Sequence, residues 1–62
     1  MTSKEFRAAR LRLGLTQLQL AERFGVRANT VWRWEHGDLP RIAALAMRGV
    51  LAEEAARDRR RR

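Results

Sequence analysis

The stretch Gln17–His36, QLQLAERFGVRANTVWRWEH, decides the fold. At about 100° per residue Leu20, Ala21 and Phe24 fall within one arc while Gln19, Glu22 and Arg23 face away, which predicts a short amphipathic helix over 17–24. Thr16 and Gln19 stand three apart, so the Thr16 hydroxyl can accept from the third helical amide while Gln19 reaches back to the cap. Gly25 closes this helix. A second short helix is expected from Arg27 or Ala28 to about His36, with Gly37 as a left-handed end. Along it Ala28, Asn29, Trp32, Arg33 and His36 share an arc of roughly 140°, with Val31 and Trp34 opposite and Thr30 and Glu35 at the borders. One side is an apolar anchor; the other is free and of mixed polar character.

Upstream, Thr2-Ser3-Lys4-Glu5 repeats the cap, with Ser3 beside it. Phe6, Ala9, Arg10 and Leu13 recur at helical spacing until Gly14, which predicts a first helix over 3–13. Downstream, Asp38-Leu39-Pro40 is a turn with its proline at or near the first helical position, where the missing N–H costs nothing. From Arg41 a fourth helix presents two apolar stripes, Ile42, Leu45, Ala46 and Gly49 on one face and Ala44, Met47 and Leu51 on another. Two stripes need two surfaces to pack on: this domain and a second copy of it. The second stripe is the expected dimer contact. Glu53 and Glu54 continue the helix and pair with Arg57 or Arg59, and Arg59 to Arg62 read as a disordered tail. The chain thus divides into a domain over 1–56 and an arginine-rich tail over 57–62.

Sixty-two residues make one domain near the lower size limit for an unstapled core. Phe6, Leu11, Leu13, Leu15, Leu20, Phe24, Val26, Val31, Trp34, Ile42, Leu45 and Met47 are the candidate core, at about 1.5–3 kcal/mol each when fully buried. Chain-ordering entropy is of similar size or larger, so marginal stability or help from a partner subunit is expected. There is no cysteine, and the single histidine, His36, has no partner at a ligand spacing, so neither disulfides nor a metal site is expected. The net charge is +7, and Arg57–Arg62, with five arginines and one aspartate, carries more than half of it. Such a balance favours an anionic partner, nucleic acid first. The charged Met1–Leu13 is no signal peptide, and the longest low-charge run, Ile42–Met47, cannot span a bilayer. A cytoplasmic protein with no membrane partner is expected. No nucleophile, base and orienter set and no glycine-rich phosphate loop is present, so neither an enzyme nor a cofactor or small-molecule ligand is expected.

Two short helices cross closely only when the residue facing the partner backbone is small and the turn tolerates positive φ. Ala21 and Gly25 meet these needs, and Leu20, Val26, Val31 and Trp34 form the wedge between the helices. An alanine, a glycine four residues on and a valine six beyond it is the helix-turn-helix signature. Residues 10–37, RLRLGLTQLQLAERFGVRANTVWRWEHG, resemble the Cro/C1-type helix-turn-helix family of phage repressors and bacterial XRE-like regulators. The likeness lies in Arg10, Gly14-Leu15-Thr16-Gln17, Leu20-Ala21, Gly25-Val26, Val31, Trp34-Glu35 and Gly37. The resemblance implies an all-α, compact, lambda-repressor-like four-helix domain whose third helix enters the major groove of double-stranded DNA. It also implies a bacterial or phage-encoded, nucleoid-associated protein, a structural ion pair between Arg10 and Glu35, and a phosphate contact at Gln17. The chain departs from the family where Arg27 replaces a Ser or Thr cap, at a cost on the order of 1 kcal/mol, and where no fifth helix follows the fourth.

The residue chemistry agrees with that implication. Asn29 can bond adenine N6/N7, Arg33 can bond guanine O6/N7, and Ala28 can meet a thymine methyl. Trp32 is open between packing on sugar or a thymine methyl and covering a neighbouring helix. Arg27 and Arg41 are candidate phosphate clamps, with Lys4, Arg7 and His36 as weaker ones. The leading functional expectation is a sequence-specific transcriptional regulator, a repressor or Cro-like homodimer on a palindromic site. The alternatives are an antitoxin-like protein-interaction module and a non-specific basic binder driven by the tail.

Overall fold

In a computed structural model residues 1–60 are described, and they form four helices: α1 (Ser3–Arg12), α2 (Gln17–Phe24), α3 (Ala28–Glu35) and α4 (Arg41–Arg60), with no strand among them. Both capping boxes form. Thr2 Oγ1 accepts from the Glu5 amide at 3.1 Å while the Thr2 amide donates to Glu5 Oε1 at 2.8 Å. Thr16 and Gln19 repeat the exchange at 3.1 and 2.9 Å.

The turn that joins α2 to α3 is built on Gly25 at φ 71°. Its amide donates to Glu22 O at 3.3 Å and the Val26 amide to Ala21 O at 2.9 Å, which satisfies carbonyls that the end of a helix leaves bare. An L side chain resists this backbone conformation, so glycine stands there for its freedom rather than for space. The same pair of bonds ends α1, from Gly14 to Leu11 O and from Leu15 to Arg10 O. At the far end of α3, Asp38 N donates to Arg33 O at 3.1 Å, and the Gly37 amide donates to Ser3 Oγ at 3.2 Å. Ser3 thus ties the exit of α3 to the start of α1.

The core is Phe6, Ala9, Leu20, Ala21, Val31, Ala43 and Met47, with Phe6, Leu20, Val31 and Met47 fully buried. Ala21 lets α3 come close to α2, and Val31 fills the crossing. Phe6 meets Phe24 and Trp34 edge-on, with ring centroids 6.5 and 5.8 Å away, and Phe24 and Trp34 complete the triangle at 6.2 Å. Each such pair adds roughly 0.5–1.5 kcal/mol beyond area burial. α1 and α4 flank the α2–α3 unit, α4 lying against α1.

Of the candidate core, Leu13, Leu15, Phe24, Val26 and Trp34 are half-buried and pack against this cluster, whereas Leu11, Ile42 and Leu45 are exposed, Ile42 by 77%. The fourth helix explains two of them. α4 turns Ala43 and Met47 inward and leaves Ile42, Leu45, Ala46 and Gly49 in solvent. The second stripe, expected to carry the dimer contact, is instead spent on the core, because Met47 is fully buried and Leu51 packs against the same cluster. α4 also remains helical through Arg60, past the point where the sequence predicts a tail; Arg61 and Arg62 lie outside the described residues. Near its end Arg23 Nη2 approaches Glu53 Oε2 at 4.0 Å, an exposed pair worth little.

Candidate nucleic-acid interface

α3 is held from behind by a polar clamp. Arg10 Nε donates to Glu35 Oε2 at 2.6 Å and Arg10 Nη2 to Glu35 Oε1 at 3.2 Å, with both side chains almost wholly buried. The third arm of the guanidinium, Nη1, donates to Leu15 O at 2.9 Å. Gln17 Nε2 donates to Glu35 Oε1 at 3.1 Å. One carboxylate therefore gathers α1, the first turn of α2 and, through Arg10, the loop between them. No buried side-chain polar atom among the described residues lacks a partner. A planar guanidinium suits this task, because its fork matches the carboxylate while a further N–H reaches the carbonyl.

The opposite side of α3 is free. Asn29, Trp32, Arg33 and His36 are exposed, whereas Val31 and Glu35 are buried and Trp34 is half-buried. Ala28 is half-buried and packs against the core, so only part of it faces outward. Asn29 and Arg33, four apart, stand one helical turn from each other on this face. Trp32 is 48% exposed, and its ring stacks on His36 with centroids 3.8 Å apart. Arg27 occupies the N-cap of α3 and makes no side-chain cap bond, so its guanidinium extends into solvent.

The phosphate candidates divide by place. Lys4, Arg7, Gln17 and His36 line one groove between α1 and the α2–α3 unit. Gln17 sits there with its side-chain amide engaged by Glu35, and what it presents at the start of α2 is its backbone N–H. In that first turn the Gln19 amide is taken by Thr16, while no hydrogen bond among the described residues takes the amides of Gln17 and Leu18. Arg41 lines a separate groove with Arg48 and Leu45 at the start of α4. The Arg10–Glu35 pair is the one the family resemblance implies; Gln17 as its third member, the Ser3–Gly37 bond and the Trp32–His36 stack are the features that residue-by-residue reading misses. Only the i,i+4 spacing of Trp32 and His36 carries a local signal.

A short helix braced on a second across a glycine turn, with one polar face left open, defines a DNA-binding helix-turn-helix domain. The family model for the helix-turn-helix family HTH_3, the Cro/C1 type, matches residues 6–46, well over half of the chain, and the chain belongs to that family of DNA-binding regulators. No curated protein and no solved structure matched the chain. No helix among the described residues is long and apolar enough to cross a membrane.

Proposed function

We propose that this protein is a sequence-specific double-stranded DNA-binding repressor that inserts α3 into the major groove and acts as a cytoplasmic, nucleoid-associated homodimer of bacterial or phage origin. The observation that carries this reading is the two-sidedness of α3: Glu35 and Val31 are locked behind it while Asn29, Trp32 and Arg33 stand open in front. Asn29 and Arg33 read adenine and guanine edges, and Ala28 allows close approach. Arg27, Arg41, His36 and the amide of Gln17 hold the phosphate backbone, the last at a helix N-terminus where an anion is favoured. Two copies joined through α4 set two recognition helices about 34 Å apart, which reads a palindrome.

Selection of bound sites from a random duplex pool tests this reading. A palindromic site selected by the native chain, with one base-pair preference relaxed and affinity weakened by about 1–3 kcal/mol in Arg33→Ala, supports it. An unchanged site in Arg33→Ala removes the base-reading assignment.

A second reading, an antitoxin-like interaction module, draws on the exposed Ile42 and Leu45 of α4. A third, a non-specific nucleic-acid binder, draws on the exposed Arg57, Arg59 and Arg60 at its end. Removing residues 59–62 separates that third reading from the first: loss of all binding favours the tail, and retained site selection favours α3.

A further inference from the structure

On the open face of α3 the Trp32 indole and the His36 imidazole lie face to face, their planes 14° from parallel and their centroids 3.8 Å apart. His36, the C-cap residue of α3, stands four residues after Trp32, one turn further along the helix, and its imidazole lies over that ring. The stack is also bonded from behind. His36 Nδ1 lies 2.7 Å from the Trp32 carbonyl oxygen. That oxygen can only accept, so Nδ1 carries the proton and donates. The imidazole cannot rotate away without losing both the bond and the stack.

The consequence falls on Trp32. One face of its indole is covered, yet the residue remains 48% exposed, and the aromatic cluster of Phe6, Phe24 and Trp34 belongs to the opposite, core side of α3. A large ring on a helix surface ordinarily loses rotamer freedom when it binds; this one is already fixed, which lowers that cost.

We propose that His36 holds Trp32 as a rigid aromatic plate whose open face takes the C5-methyl group of a thymine. This rests on the reading that α3 enters the major groove. Among the base-pair edges displayed there, the thymine methyl is the apolar group, and the face of an indole offers apolar contact rather than a hydrogen bond. His36 is then a positioning residue for Trp32, in addition to the phosphate contact proposed for it above. Deoxyribose is the other apolar surface within reach of such a ring, but it carries no sequence preference, and the two are separable by experiment.

The test uses the full chain and three variants, W32A, H36A and H36F, each selecting bound sites from a random duplex pool. The site chosen by the native chain is then remade with deoxyuridine in place of each thymine in turn, which removes one methyl group at a time. One thymine is expected whose replacement weakens native binding about fourfold and leaves W32A unaffected. H36A blunts this preference and H36F restores it, because a phenyl ring stacks but cannot bond a phosphate. Trp34 is the only tryptophan left in W32A, so its emission, with the helical content, reports that the core is intact. A native site with no uracil-sensitive thymine, or the same sensitivity retained in W32A, overturns the thymine contact. A thymine preference left as sharp in H36A as in the native chain overturns the role of His36. If the native chain selects no site at all, the major-groove reading fails first, before any variant is compared.

Discussion

Arg10 and Glu35, 25 residues apart, meet through two hydrogen bonds of 2.6 and 3.2 Å in the interior between α1 and α3. In so small a core this pair sets how α3 is presented, because the carboxylate also holds Gln17 and the guanidinium also holds Leu15 O. Removing one partner leaves the other charge buried and unpaired. Arg10→Ala or Glu35→Ala is expected to cost about 3–5 kcal/mol, enough to unfold a marginal domain. Replacing both at once, as Arg10→Ala with Glu35→Ala, should cost much less than the two single changes together. Urea unfolding of the three variants measures the difference, and additive costs would show that the pair does not act as a unit.

Arg27 is the N-cap of α3 without a cap bond. Arg27→Ser supplies the missing acceptor and is expected to stabilise the fold by on the order of 1 kcal/mol. Because serine cannot neutralise the phosphate that Arg27 is proposed to clamp, the same change should flatten the dependence of log affinity on log salt by about 0.9. Thermal unfolding and a salt titration on the selected site check the two halves separately. A gain in stability with an unaltered salt slope would leave Arg27 a surface residue.

Glu5 accepts the Thr2 backbone N–H, and this bond, with that of the Thr2 hydroxyl, holds its carboxyl below its ordinary value of 4.5. A carboxyl depressed in the folded state contributes stability that is present above the unfolded value and lost as pH falls through the folded one. The native chain should therefore lose thermal stability on acidification below about pH 4.5 more steeply than Glu5→Gln, which keeps the cap but cannot titrate. Parallel melting points from pH 7 downward test this; identical slopes would remove Glu5 from the acid response.

Ile42 and Leu45 lie on the side of α4 turned away from Ala43 and Met47, 77% and 52% exposed. Ile42→Arg and Leu45→Arg should leave the isolated fold within about 0.5 kcal/mol of native stability, as surface changes do. Both should abolish the proposed dimer. Sedimentation over a concentration series reads the outcome, with a concentration-dependent melting point in the native chain as a second sign. A native chain that stays monomeric throughout, free and on DNA, would end the proposal that α4 joins two copies.

Much of this molecule is written locally. The capping boxes at Thr2 and Thr16, the glycine ends at Gly14, Gly25 and Gly37, and the two faces of α3 follow from short-range rules, because caps, turns and a 3.6-residue period act within one or two turns of chain. α4 shows where such rules stop. Its sequence offers two apolar stripes of similar quality, and periodicity has no means of choosing between them. Packing chose through Ala43, a small residue on neither stripe, which lets α4 approach the core closely enough to bury Met47.

The clamp behind α3 was legible in part. Arg10 and Glu35 stand out through the resemblance to a family, whereas Gln17 as their third member, and Ser3 as the acceptor for Gly37, depend on which helices lie side by side. The sequence by itself determined four helix-forming segments, the ends of the first three, the glycine turn between α2 and α3, and a polar arc holding Asn29, Trp32, Arg33 and His36. Only the tertiary structure decided which stripe of α4 is spent on the core, that Gln17 turns its side chain inward to Glu35, and that Trp32 stands braced on His36. The physical reason is range: dihedral preference and amphipathic period are fixed by near neighbours, while burial and hydrogen-bond partners depend on groups brought together from up to 34 residues away.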